Sequence, residues 1–227
     1  DYAAQSNITS VEPASGQEGT TVTIRGTDLR GHANFVDSVT LVGEEATILN
    51  ETDDFITAVA AASGAGSGDV VVTADTGAVA PLEGGFVYYT KGEVNDVSPS
   101  SGQYGSIVTI SGVALRARGT EVVEVTLGGV LASIISEDND QVVVQAGSGP
   151  NFRELGAVVL TSDTGAKVVT GDEEWTYLRP STIESVSPPS GRASSRITIF
   201  GFDLCGGGDE IVNATLARVP ATLTDVS

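Results

Sequence analysis

The chain has 227 residues, a net charge of -19, 40% hydrophobic residues, 28 glycines and a single cysteine. That length allows two to three small domains, each able to build a core, and one cysteine defines no disulfide framework. So acidic a surface repels phosphate backbones and anionic membranes, which excludes nucleic acid as an expected partner, and no apolar run reaches the ~20 residues that span a bilayer.

Val, Ile and Thr are frequent, glycines are dispersed, and apolar residues do not recur at helical spacing. An all-β fold is therefore expected. The first strand is expected at Ile8–Val11 and runs into Val11-Glu12-Pro13-Ala14-Ser15-Gly16. Proline has a fixed φ and no N–H to donate, so it stops a strand at a sheet edge. Ser15-Gly16 is expected to turn the chain with glycine at positive φ. Val22-Thr23-Ile24 alternates aliphatic residues with Thr, the period of a strand with one buried face, and Gly26 is expected to end it. Leu29 and a polar loop with His32 follow. Then come Val39–Leu41, a turn at Gly43, Ala46–Leu49, the acidic turn Glu51-Thr52-Asp53-Asp54 and Ile56–Ala60. A Gly/Ser-rich loop leads to Val70–Ala74, the turn Asp75-Thr76-Gly77 and a closing Phe86-Val87-Tyr88.

The series recurs. Val97-Ser98-Pro99-Ser100-Ser101-Gly102 leads to Val108-Thr109-Ile110, and Val186-Ser187-Pro188-Pro189-Ser190-Gly191 leads to Ile197-Thr198-Ile199. Val125–Leu127, Ala132–Ile135, Glu137-Asp138-Asn139-Asp140, Val142–Ala146, Ala157–Thr161, Asp163-Thr164-Gly165 and Trp175-Thr176-Tyr177 repeat the rest, and Ala214–Leu216 matches Val125–Leu127. The extra residues of the second unit are assigned to loops near Pro150 and Thr170. Recurrence at this spacing means tandem copies of one fold, and about seven short strands per copy match an immunoglobulin-like sandwich.

Tyr2, Tyr88 and Tyr177 precede Ile8, Val94 and Ile183 by one common spacing. The expected divisions are the end of a preceding repeat with its linker (1–7), repeat one (8–89), a linker (90–93), repeat two (94–178), a linker (179–182) and the first half of a third repeat (183–227). The connections Tyr88–Val94 and Tyr177–Ile183 are short, so neighbouring sandwiches should be semi-rigid. Val186, Ile197, Ile199, Leu204 and Leu216 are inward positions of the third unit that would face no second half. Completion by further repeats of the array or by another subunit is expected.

Three features together resemble the IPT/TIG family of immunoglobulin-like domains over nearly the whole chain. They are the opening Ile-x-x-Val-x-Pro-x-Ser-Gly, the Val-Thr-Ile-x-Gly strand and the closing aromatic-x-Tyr. The resemblance implies tandem immunoglobulin-like (IPT/TIG, E-set) β-sandwiches arranged end to end. Members of this family serve as stalk modules in Met- and plexin-type receptors, in fibrocystin-like proteins and in microbial surface proteins. Others are DNA-contacting domains of Rel-type transcription factors or accessory domains of glycan-active enzymes. The expectation is a non-catalytic module at the cell surface or outside the cell, a segment of a stalk or filament that works by semi-rigid spacing and self-assembly. The alternative is a glycan-binding or adhesion/receptor module, for which Tyr89, Tyr104, Phe152 and Phe202 are the candidate aromatic contacts. Charge opposes the DNA-binding reading.

No nucleophile–base constellation is visible: the one histidine, His32, and the one cysteine, Cys205, are far apart in the chain. Asp53/Asp54 and Glu173/Glu174 are adjacent pairs, which do not converge across a cleft as a glycosidase pair must. No cofactor is expected. The alternative use of the carboxylates is calcium at Glu137-Asp138-Asn139-Asp140, because hard cations take clustered oxygens. Three sequons, Asn7-Ile8-Thr9, Asn50-Glu51-Thr52 and Asn213-Ala214-Thr215, make Asn7, Asn50 and Asn213 the candidate glycosylation sites, with Asn50 on a turn and Asn7 at a repeat junction. Cys205 stands where the first two repeats carry Arg30 and Arg116. Phe86 and Trp175 are expected in the cores.

Overall fold

The computed structural model describes residues 5–149 and 154–224. Tyr2, Pro150 and Phe152 lie outside the described residues.

Repeat one contains β1 (Asn7–Glu12), β2 (Ser15–Gly16), β3 (Thr21–Thr27), β4 (Val36–Leu41), β5 (Glu44–Glu45), β6 (Thr47–Glu51), β7 (Phe55–Val59), β8 (Gly66–Ala74) and β9 (Val79–Tyr88). They form two sheets, β1-β3-β7-β6 and β2-β9-β8-β4-β5. Alternation on each strand aims one row of side chains at the other sheet. Val22, Ile24, Ile56 and Ala58 from the first sheet meet Val39, Leu41, Val70 and Phe86 from the second, all at 0% exposure.

Repeat two contains β10 (Glu93–Ser98), β11 (Ser101–Gly102), β12 (Ile107–Val113), β13 (Val122–Leu127), β14 (Val130–Glu137), β15 (Gln141–Gln145), β16 (Glu154–Gly156), β17 (Val158–Ser162), β18 (Lys167–Val169) and β19 (Trp175–Tyr177). Strand β14 is long enough to pair with β13 at one end and β15 at the other. It joins both layers into the order β10-β12-β15-β14-β13-β17-β18, with β11-β19-β16 alongside. Val108, Ile110, Val142 and Val144 pack against Val125, Leu127, Leu160 and Trp175 in the second core. Phe86 and Trp175 are fully buried, as expected, and each meets the following Tyr edge-on at 5.0 and 5.5 Å.

The third unit contains β20 (Thr182–Ser187), β21 (Thr198–Phe202), β22 (Ala214–Leu216) and β23 (Val219–Ala221), as two separate pairs. No described residue from 178 onward is buried. Val186 is 36% exposed, and Ile197, Ile199, Leu204 and Leu216 are half-buried.

Several local expectations change. Ser15-Gly16 is not a free turn: it crosses to the second sheet as β2 and pairs in parallel with Val87-Tyr88 of β9, and Ser101-Gly102 does the same with β19. Glycine is needed at position 16 for closeness, not for positive φ, because a Cβ would lie 2.4 Å from Thr20 Oγ1. Gly26 does not end β3, which runs on to Thr27. It sits where β1 crosses, and a Cβ would come within 2.3 Å of the Asn7 carbonyl oxygen. The strand matching Val70–Ala74 is Val158–Ser162 rather than Ala157–Thr161. Leu41 pairs with Val70 and Leu127 with Val158, and a slip of one residue would turn every core side chain outward.

Candidate functional site at the repeat junctions

The residue after each Ser-Gly crossing carries the first link between repeats. Gln17 follows Gly16 in a tight loop, where its own N–H donates to Thr20 Oγ1 at 3.0 Å. Gln103 N–H donates to Ser106 Oγ at 3.1 Å in the same way, and Arg192 N–H to Ser195 Oγ at 2.9 Å. This loop fixes the backbone at the end of the sandwich and aims the next side chain along the chain's path.

At the first junction Gln17 is 1% exposed and bonds in both directions. Its Oε1 accepts the Gly92 N–H from the linker at 2.9 Å, and its Nε2 donates to the Lys167 carbonyl of repeat two at 3.2 Å. The Thr21 N–H of repeat one donates to the Thr164 carbonyl of repeat two at 2.8 Å. The Arg118 guanidinium lies over the Tyr89 ring at 4.3 Å, and Lys91 pairs with Glu18 at 3.1 Å. Gly92 is buried against repeat two, where a Cβ would lie 2.3 Å from the Ala114 carbonyl oxygen. A groove of about 430 Å³ remains, lined by Thr21, Val59, Lys91, Lys167 and Val169 among others.

The second junction repeats the central bond. Gln103 Oε1 accepts the Ser181 N–H at 2.8 Å and the Ser181 hydroxyl at 3.2 Å. Two junctions with different linker sequences thus use one glutamine position and one backbone N–H. At the first junction the buried Gln17 amide satisfies both its donor and its acceptor and so holds a single geometry, because rotating away strands buried polar groups. At the second, half-buried Gln103 makes only the acceptor half of the link.

A second device recurs within the repeats. Arg30 Nε meets Glu51 Oε2 at 2.7 Å, and Arg116 Nε meets Glu137 Oε2 at 2.9 Å. Glu137 also accepts the Val122 N–H at 3.2 Å, and the Arg116 hydrogen bond holds its carboxyl below the usual carboxylate range. Asp138 is lowered by the N–H groups of Asp140 and Gln141. Of the carboxylates considered for calcium, Glu137 is thus turned toward Arg116 and Asp138 toward the local backbone. Among the described residues no three His, Cys, Asp or Glu side chains gather as a metal site.

Asn7 is exposed on β1 and Asn213 is exposed just before β22. Asn50 is exposed in the edge strand β6 rather than on the turn, and its Oδ1 accepts the Glu51 N–H at 2.9 Å. His32 and Cys205 are both exposed, in loops of different units. The aromatics considered for glycan contact are spread out: Tyr89 lies under Arg118, Tyr104 is in the β11–β12 turn and Phe202 is in β21. Sequence reading missed the glutamine link and the Arg–Glu pair. The signal for both was residue identity at matching positions of the two repeats.

The family description "IPT/TIG domain" matches residues 6–88 and again 93–177. Comparison with curated proteins gives no match. Among solved structures, the plexin A4 full extracellular region, domains 1 to 10, is 22% identical with a TM-score of 0.51, over 88% of this chain and 18% of that one. SGBP-B of the Bacteroides ovatus mixed-linkage glucan utilization locus, in complex with a mixed-linkage heptasaccharide, is 15% identical with a TM-score of 0.32, over 80% of this chain and 47% of that one. The chain spans under a fifth of the plexin region, and at this identity the likeness is one of fold. With the family description matched twice in tandem across most of its length, the chain belongs to the IPT/TIG domain family.

Proposed function

We propose that this chain is a non-catalytic spacer, a segment of an extracellular stalk or filament in which tandem sandwiches hold a fixed relative orientation. The observation that carries the reading is the glutamine link at both junctions, from Gln17 to Gly92 and from Gln103 to Ser181. Short linkers alone restrict reach, whereas a side chain bonded to the linker backbone, buried at Gln17 and half-buried at Gln103, restricts angle. The acidic surface keeps an extended chain soluble and discourages non-specific association. Further units of the same array, or another subunit, would cover the apolar face of the third unit, where no described side chain is buried. Glycans on Asn7, Asn50 and Asn213 would add bulk at exposed positions, and at Asn50 would cap the free edge of β6.

Small-angle scattering on the full chain tests the reading. A spacer gives a maximum dimension and cross-section that one fixed arrangement of repeats one and two reproduces. A freely jointed ensemble of sandwiches would contradict it.

A further inference from the structure

We propose that the outer sheet face of repeat two is a self-complementary contact with a second copy of this chain. The proposal concerns lateral pairing and stands independently of the spacer reading.

Strand register defines the face. Leu131 on β14 is opposite Thr126 on β13, Thr126 is opposite Val159 on β17, and Val159 is opposite Val169 on β18. These four point away from the core, whose inward neighbours Val125, Leu127, Leu160 and Val168 are fully buried. Leu131 is 61% exposed and Val169 48%, with Thr126 and Val159 half-buried between them, so a row of three aliphatic side chains and one threonine crosses four strands at the surface. Two residues along the strands lies a second outward row, Glu124–Thr161–Lys167, with an acid at one end and a lysine at the other.

Repeat one supplies the internal contrast. Its matching rows are Glu45–Thr40–Val71–Pro81 and Ser38–Thr73–Val79. Glu45 and Pro81 stand where repeat two has Leu131 and Val169, and covering the Glu45 carboxylate with another chain would cost its desolvation. Repeat two has no charge in this row.

The two rows are self-complementary about one axis. A two-fold axis parallel to β17 lays Val159 of one copy over Val159 of the other and Thr126 over Val169. It also lays Glu124 over Lys167, twice, because the acid and the lysine flank β17 on opposite sides. Leu131 then projects past β18 of the second copy, toward the junction groove lined by Val59 and Val169. Only two lysines occur in the sequence, Lys91 and Lys167, and both line that groove. The apolar margin of each copy therefore meets a groove on the other that carries both lysines together with Glu18. Each copy carries a net charge of -19, so the contact forms best once salt screens long-range repulsion. At about 0.15 M ionic strength the screening length is about 8 Å.

Sedimentation equilibrium of the full chain, to about 1 mM at about 0.15 M salt, tests this. The expected result is a reversible dimer that Leu131→Glu, Val169→Glu and Lys167→Glu each weaken by about 10-fold or more, with unchanged melting of repeat two because all three positions are exposed. Lys167→Glu combined with Glu124→Lys should restore pairing to within about 3-fold, since both exchanged charges still meet their opposites across the axis. A chain that stays monomeric to the highest concentration overturns the proposal. So does a dimer that survives Leu131→Glu, which would place the contact elsewhere, including the open third unit. A double exchange no better than Lys167→Glu alone overturns it as well.

Discussion

The Gln17 side-chain carbonyl accepts the backbone N–H of Gly92 at 2.9 Å, across the boundary between two sandwiches. One repeat later Gln103 does the same for Ser181 at 2.8 Å. Removing the amide should free the junction without unfolding either sandwich. Gln17→Leu leaves the Gly92 N–H and the Lys167 carbonyl unpaired, at a cost of about 1–3 kcal/mol for each group that stays buried. The junction relieves that cost by opening to water. The expected outcome in native-state hydrogen exchange is faster exchange of the Gly92 and Thr21 amides, with the Val22, Ile24, Val108 and Ile110 amides unchanged.

Closeness of backbone at the first strand crossing makes a second prediction. At Gly112 a Cβ would lie 2.1 Å from the Glu93 carbonyl oxygen, and at Gly26 2.3 Å from that of Asn7. Gly112→Ala must push β10 off β12, at a cost of about 1–3 kcal/mol. Gly129→Ala meets no atom within 4 Å but has φ +79, so its cost comes from backbone strain alone. Amide exchange in repeat two should show Gly112→Ala losing protection along the β10–β12 pairing and Gly129→Ala keeping it.

Acid sensitivity of repeat two follows from Glu137. Its carboxyl is held below its ordinary value in the folded state, chiefly by the Arg116 hydrogen bond. A group lowered on folding contributes stability that is complete above its unfolded pKa and is lost as pH falls through the folded one. Between about pH 5 and 3 the wild-type repeat should therefore lose stability, and Glu137→Gln should lose less over the same range while being weaker at neutral pH. Urea unfolding followed through Trp175 fluorescence measures both slopes. Equal slopes in the two proteins would contradict the assignment.

In a secreted eukaryotic host, Asn50 should carry a glycan. It is exposed on the outer strand β6, where its side chain is reachable from solvent. Mass spectrometry of the peptide around Asn50, before and after glycosidase treatment, reads this directly. An unchanged mass would rule it out.

Much of the fold was legible because it rests on period-two alternation and turn residues, both local properties. Val22-Thr23-Ile24 and its two counterparts announced a half-buried strand, and the recurrence announced the tandem. The crossing of Ser15-Gly16 into the second sheet was not legible, since its partner Val87-Tyr88 is remote and pairs with it in parallel. The register of Val158–Ser162 was misread by one residue because Ala157 is also small and apolar, so only the pairing with Leu127 decides the phase. The junction was least legible. Gln17 and Gln103 are single polar residues after Ser-Gly with no local pattern to mark them, and only their shared position, against Arg192 in the third unit, sets them apart. Arg30–Glu51 and Arg116–Glu137 were hidden in the same way: each arginine lies in a loop and each glutamate at a strand end, joined only in three dimensions.

The fixed angle between repeats one and two is tested most directly by a distance distribution across their junction. Spin labels at Asp37→Cys and Glu173→Cys, in a chain carrying Cys205→Ser, sit on exposed positions of the two repeats. Pulsed electron–electron resonance on a dilute sample should give one narrow distribution, which broadens when Gln17→Leu is added. A broad distribution with Gln17 in place, or a narrow one that Gln17→Leu leaves unchanged, would contradict the account.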